Sequence, residues 1–257
     1  MNPQAALSVS QVTCEYREEL LGTDQFVPRF GWKLSSKERG IKQQAYQLVV
    51  SDLPDFSLYL WDTGRIESDQ SIHIEYTGPA LQSRTRYYYR VKVWEQQGNC
   101  SEWSSTGWWE TAFLDSGEWQ AKWIMPKQLP AVQQAQEWPD SPPVSLLRTT
   151  FQLKENIVSA RVYATAAGLY DLHLNGERVG EELLAPGWTS YHHRHQYQTY
   201  DVTRYLQAGR MVSAFKQQMA GIQGASPGRR DIAALMESIV PSCLSCMCNM
   251  QMAVKRL

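Results

Sequence analysis

The chain has 257 residues, 20% of them charged, with a formal net charge of −1. Acids and bases nearly cancel, so nucleic acid is not expected as a partner, and the modest charged fraction with abundant Tyr and Trp argues against wholesale disorder. No stretch reaches the roughly 18 apolar residues of a membrane span, so no membrane partner is expected, and the start, MNPQAALSVSQVTCEY, lacks the basic segment of a secretory leader. Five cysteines, an odd number with three bunched as Cys243, Cys246 and Cys248, do not read as a secreted disulfide framework; a reducing cytoplasm is the expected compartment.

Residues 1–114 read as a fibronectin type III-like β-sandwich. SVSQVTCEY places Val12, Cys14 and Tyr16 on one face of a period-2 pattern, and FGWKL does so with Phe30, Trp32 and Leu34. Tyr46, Leu48 and Val50 alternate in AYQLVVSD, and Ile72, Ile74 and Tyr76 alternate in SIHIEYTG before a Gly-Pro stop. In LQSRTRYYYRVKVW, the spacing of Leu81, Thr85, Tyr87, Val91 and Val93 matches a tyrosine corner running into a central strand. The last hairpin, GNCSEWSSTGWWETAF, carries Trp103 and Trp109, and its SEWS run resembles the tryptophan–arginine ladders of cytokine receptors.

Residues 115–143 form the linker. Trp119 and Trp123 in EWQAKWIMP lead into LPAVQQAQEWPDSPP, whose Pro and Gln content without periodicity predicts a long loop. Residues 144–209 predict a second all-β unit of the sandwich or jelly-roll sort, incomplete at its end. Leu147, Thr149, Phe151 and Leu153 alternate, as do Ala160, Val162 and Ala164. Tyr170, Leu172 and Leu174 share one face, and Asn175-Gly176 favours a type I′ turn back to a strand with Val179. Asp201 is placed to cap a short helical turn.

Across both units, WDTGRIESDQSIHIEYTGPALQSRTRYYYRVKVW, WQAKWI, LLRTTFQL and GLYDLHLNGERVGEELLAPGWTSYHHRHQYQTYDVT resemble the amino-terminal region of bacterial α-L-rhamnosidases of glycoside hydrolase family 78. The resemblance covers about residues 7–209. It implies a large enzyme in which a fibronectin-like domain and a β-sandwich precede an (α/α)6 barrel that removes terminal α-L-rhamnosyl units by inversion. Inversion needs a general acid and a general base, and the family draws both from the barrel. No run of paired amphipathic helices is present to form that barrel, so no catalytic residue carries over and the chain alone is expected to be inactive. Glu177, Glu181, Glu182 and Asp201 read as solvated or capping acids.

A carbohydrate, and by the resemblance a rhamnoside, is the one ligand class with candidate residues. Trp188, Tyr191, His193 and Arg194 cluster in PGWTSYHHRHQY, where rings can stack on pyranose faces and the His and Arg side chains can donate to hydroxyls. The alternative is that Trp188 and Tyr197 pack a core or domain interface while residues 192–195 form a wet turn. No metal and no cofactor is expected: adjacent histidines in HHRH do not converge on one ion, and CLSCMC offers three thiolates with no fourth ligand. The competing functions are a free-standing carbohydrate-binding module and a structural interaction protein built from β-sandwiches.

Composition breaks near residue 210. All ten tryptophans lie at or before Trp188 and all thirteen tyrosines at or before Tyr205, while six of the eight methionines follow Gly209. Residues 210–257 are therefore expected to be a non-family tail, read in a shifted frame and leaving the second sandwich cut after about five strands. In that tail DIAALMESIV predicts a short helix with Ile232, Leu235, Met236 and Ile239 on one stripe, and the rest is irregular.

Overall fold

The computed structural model describes residues 6–124, 145–153, 157–191, 193–206, 209–218 and 234–237. The long loop predicted after Met125, His192 and the Cys243–Cys248 cluster lie outside them. The chain divides into two compact units, Met1–Glu118 and Trp119–Leu257.

The first unit is built from β1 (Leu7–Cys14), β2 (Glu19–Thr23), β3 (Arg29–Ser36), β4 (Gln43–Ser51), β5 (Trp61–Asp62), β6 (Ile66–Glu67), β7 (Ile74–Glu75), β8 (Arg86–Glu95) and β9 (Gly107–Thr111). One sheet has the order β1-β3-β7. The other runs β2-β9-β8-β4-β5, with β6 also on β4. All pairings are antiparallel except β2 with β9, a parallel addition the sequence pattern did not show.

Alternation along β8 decides which face is core. Tyr87, Tyr89, Val91 and Val93 are buried, while residues 86, 88, 90, 92 and 94 face outward and are half-buried. Trp109 is 0% exposed, with Tyr87 stacked on it at 5.1 Å and Phe30 edge-on at 5.3 Å. The Tyr87 hydroxyl accepts a 2.8 Å hydrogen bond from the Gln82 N–H, which makes the tyrosine corner. Two of the alternating positions do not enter the core. Tyr16 lies past the end of β1 on left-handed backbone (φ 65°) and is exposed, and Ile72 precedes the two-residue β7 and is exposed too.

The outer face of β8 carries a column of alternating cations and rings. The Arg90 guanidinium sits 4.3 Å from Phe56 and 4.7 Å from Trp103; the Lys92 ammonium sits 4.6 Å from Trp103 and 5.2 Å from Trp94; Arg65 lies 4.9 Å from Trp94. The SEWS run holds Trp103 in place. Its Ser101 and Ser104 hydroxyls accept from the N–H groups of Val93 and Val91 at 3.0 Å, and its own N–H groups donate back to the carbonyls of Val93 and Val91 at 2.8 Å. These bonds continue the pairing of β8 past the end of β9.

The second unit comprises β10 (Ser145–Leu153), β11 (Arg161–Ala166), β12 (Leu169–Leu174), β13 (Glu177–Arg178), β14 (Gln198–Asp201), β15 (Gly209–Gln218) and β16 (Ala234–Glu237). Its sheets have the orders β10-β15-β12-β13 and β14-β11-β16. The core joins Val162, Ala164 and Ala166 to Tyr170, Leu172, Leu174 and Tyr200. Asn175 and Gly176 both have positive φ, 49° and 90°, and connect β12 to β13 as the dipeptide predicted.

Two expectations for the end of the chain are corrected. The unit does not stop at Gly209. β15 pairs along its whole length with β10, from Leu153↔Gly209 to Ser145↔Gln217, and along its other edge with β12 from Leu174↔Ser213 to Leu169↔Gln218. Backbone groups supply these ladders whatever the side chains, so the loss of Trp and Tyr did not end the sheet. Ala234–Glu237 is a strand, not part of a helix: it pairs antiparallel with β11 from Tyr163↔Glu237 to Ala166↔Ala234, because that edge of β11 offers unpaired N–H and C=O groups.

Candidate functional site

β11 positions the candidate site. Six successive residues of this strand are buried, so both of its faces are covered. The inner face belongs to the core. On the other face Thr165 donates its hydroxyl hydrogen to the Gln196 carbonyl, Tyr163 lies 6.4 Å from the Tyr197 ring, and Arg161 pairs with Asp201 at 3.0 Å. Gln196 and Tyr197 thus lie along β11 where the chain enters β14.

Gln198 in β14 ties that segment at its start. Its side-chain amide donates to the Pro186 carbonyl at 3.0 Å, and its amide oxygen accepts from the Tyr170 hydroxyl at 2.9 Å. Within the segment, the Thr189 hydroxyl donates to the Arg194 carbonyl at 2.6 Å. The N–H groups of His193 and Arg194 both donate to the Ser190 carbonyl at 2.9 Å. The Tyr191 hydroxyl accepts from the Gly168 N–H at 3.2 Å.

These bonds line up four rings. Trp123 meets His195 edge-on at 5.0 Å, His195 stacks on Tyr191 at 5.1 Å with planes 4° apart, and Tyr191 lies 6.4 Å from Trp188 at 30°. Trp188 is 68% exposed and Trp123 46% exposed, so the outer members of the row show apolar area to solvent. Partial burial holds the His195 imidazole below the ordinary histidine value, which favours its neutral form against Tyr191.

Of the four residues expected from sequence, Trp188 and Tyr191 come together. His193 and Arg194 are exposed on the adjoining turn. His195 and Trp123 were missed. His195 was one of several histidines in HHRH with nothing to distinguish it, and Trp123 reaches the row from within the predicted linker, far away in sequence. The nearby acids have these surroundings, and the N-cap of the short helical turn is Val202 rather than Asp201. Asp201 accepts from the Thr203 N–H at 3.0 Å besides holding Arg161, and Glu177, Glu181 and Glu182 are exposed. No group of three His, Cys, Asp or Glu arranged to hold a metal occurs among the described residues.

Two family models match the chain in order: the Rha78A-like N-terminal immunoglobulin domain over residues 9–115, and the α-L-rhamnosidase N-terminal domain over residues 155–216. This is the amino-terminal architecture of the α-L-rhamnosidases. The first domain is described there as immunoglobulin rather than fibronectin type III, two sandwiches of shared architecture. The second match runs beyond Gly209, as β15 does. An α-L-rhamnosidase of Formosa agariphila is 37% identical over 193 residues, 74% of this chain and 21% of that protein, and one from an Alteromonas species is 34% identical over 71% of this chain and 20% of its own length. The chain therefore spans about a fifth of these relatives. Among solved structures, the α-L-rhamnosidase from Dictyoglumus thermophilum is 30% identical with a TM-score of 0.79, over 90% of this chain and 27% of that one. The Aspergillus terreus enzyme is 28% identical with a TM-score of 0.73, over 92% and 28%. The match of these 257 residues is to the amino-terminal portion of such enzymes.

Proposed function

We propose that this portion serves a hydrolase of terminal α-L-rhamnosides, and that the segment 186–197 meets a rhamnosyl-bearing glycan. The inverting acid and base belong to the rest of such an enzyme; the two domains described here supply its non-catalytic front. One observation carries the glycan contact: Trp188 is exposed at the end of a ring row fixed by Gln198 and Tyr191. An exposed indole of this kind offers a flat apolar face on which the apolar face of a pyranose can stack. Arg194 and His193 stand on the same turn as hydroxyl donors. Leu183 and Leu184, exposed a few residues earlier, favour a second reading in which Trp188 packs against another domain.

Titration calorimetry of the chain with rhamnose-terminated oligosaccharides, repeated on Trp188→Ala, separates the two. Loss of binding in the variant supports glycan contact. No binding by the parent chain, together with association of the parent chain but not the variant with a separately produced barrel domain, supports the interface. Purified chain is expected to release no free rhamnose. The described cysteines, Cys14 and Cys100, are free thiols, which supports placing the chain in the cytoplasm; cell fractionation tests that.

A further inference from the structure

The first unit contains a cleft of about 470 Å³ lined by Tyr46, Trp61, Asp62, Gln70, His73 and Glu75, among others. That volume is within the range of small-ligand sites. Hydrogen bonds hold its walls. Gln43, buried on β4, accepts from the Trp32 indole N–H at 2.9 Å and donates to the carbonyls of Ser68 at 3.0 Å and Gln70 at 2.9 Å. The far side of the rim is anchored where the Trp32 N–H donates to the Ser71 carbonyl and the Tyr76 N–H to the Pro28 carbonyl. Between these anchors His73 adopts left-handed backbone, φ 57°, unfavourable for a residue with a Cβ, and its imidazole is 2.7 Å from the Tyr16 hydroxyl.

The lining chemistry narrows the ligand. The half-buried Trp61 is fixed by edge contact with Tyr76 at 5.0 Å. Asp62 is fixed at the rim because one of its oxygens accepts from Gln47 at 2.7 Å and from the Gly64 N–H at 2.8 Å. Glu75 and Gln70 are exposed. One indole, two carboxylates as acceptors and the oxygen of the Gln70 amide, whose nitrogen donates to the Ile72 carbonyl at 2.9 Å, match a ring bearing several hydroxyls. An anionic sugar would meet the repulsion of Asp62 and Glu75. We infer that this cleft is a carbohydrate site for a neutral glycosyl unit, separate from the segment 186–197 and independent of its role.

The test is heteronuclear NMR on the whole chain, titrated with L-rhamnose, methyl α-D-glucoside, galacturonate and an alkylammonium ion. Neutral sugars are expected to shift the Trp61 indole N–H and the amides of residues 62–77. Glu75→Gln and Gln70→Ala, exposed positions that leave the core intact, should each weaken binding about five- to tenfold. Trp188→Ala should leave these shifts unchanged, so failure of the loop proposal and of this one are separable. No shift at residues 61–77 with either neutral sugar at about 50 mM, far above millimolar single-sugar affinities, overturns the inference. So does tighter binding of galacturonate or of the alkylammonium ion, or full binding in both cleft variants.

Discussion

Removing one oxygen from each of two neighbouring core tyrosines should have opposite consequences. Tyr87 and Tyr89 are both buried in the first domain, two residues apart on the inner face of β8. The Tyr87 hydroxyl accepts from the Gln82 N–H at 2.8 Å, whereas the buried Tyr89 hydroxyl has no hydrogen-bond partner. Tyr87→Phe keeps the ring against Trp109 and opens no large cavity, so its cost is the hydrogen bond alone. Gln82 is exposed and its N–H can turn to water, which places the loss near the middle of the usual range, about 1 kcal/mol. For a domain of this size that is a fall of about 4–5 °C in Tm. Tyr89→Phe removes a buried polar atom that has already lost its hydration, so it should be neutral or stabilising by up to about 1 kcal/mol. Thermal and urea unfolding of the whole chain, followed by near-ultraviolet circular dichroism, reads both. Equal losses in the two variants, or a larger loss for Tyr89→Phe, refute the assignment of the corner.

Trp109→Ala empties the centre of the same core and should cost about 3–5 kcal/mol, enough to leave the first domain largely unfolded in a proteolysis assay at room temperature. Gly107→Ala should destabilise by about 1–3 kcal/mol, because a Cβ there would stand 2.4 Å from the Tyr89 ring; urea midpoints check it. The His195 imidazole is depressed by burial, so the folded segment 186–197 binds fewer protons than the unfolded one. The stability this adds is complete above the ordinary histidine value of about 6.5 and drains as pH falls through the lowered one. Trp fluorescence of the segment should therefore change on acidification, and His195→Gln should abolish the change. Reading the DNA beyond codon 216 in the two alternative frames tests the shifted-frame origin of the tail; a return of Trp and Tyr in a strand pattern is the expected outcome.

What the sequence made legible was local. The alternation of LQSRTRYYYRVKVW contains both the strand and the corner, because a period of two and a backbone-directed hydroxyl are short-range features. Asn175-Gly176 likewise carries its own backbone geometry. The cation–ring column was only hinted at by SEWS, since Phe56, Arg65 and Trp103 reach β8 from three different segments. β11 looked like a half-exposed strand because Arg161, Tyr163 and Thr165 are polar or amphipathic. They are nonetheless buried, and meet Asp201, Tyr197 and Gln196 respectively, which come from later in the chain. β15 carries no Trp or Tyr, yet two neighbours with unpaired backbone make a strand of it. The candidate site was half legible for the same reason: Trp188 and Tyr191 are close in sequence, whereas Trp123 joins them only through the fold.

The central place of β15 also orders events during synthesis. The first domain holds all nine of its strands by Thr111, so it can complete itself while the ribosome is still translating the remainder. In the second, β10 and β12 have no strand between them until Gln218 has emerged. A nascent chain halted before that point presents two facing, unsatisfied strand edges, the kind of surface that chaperones hold and that neighbouring polypeptides capture.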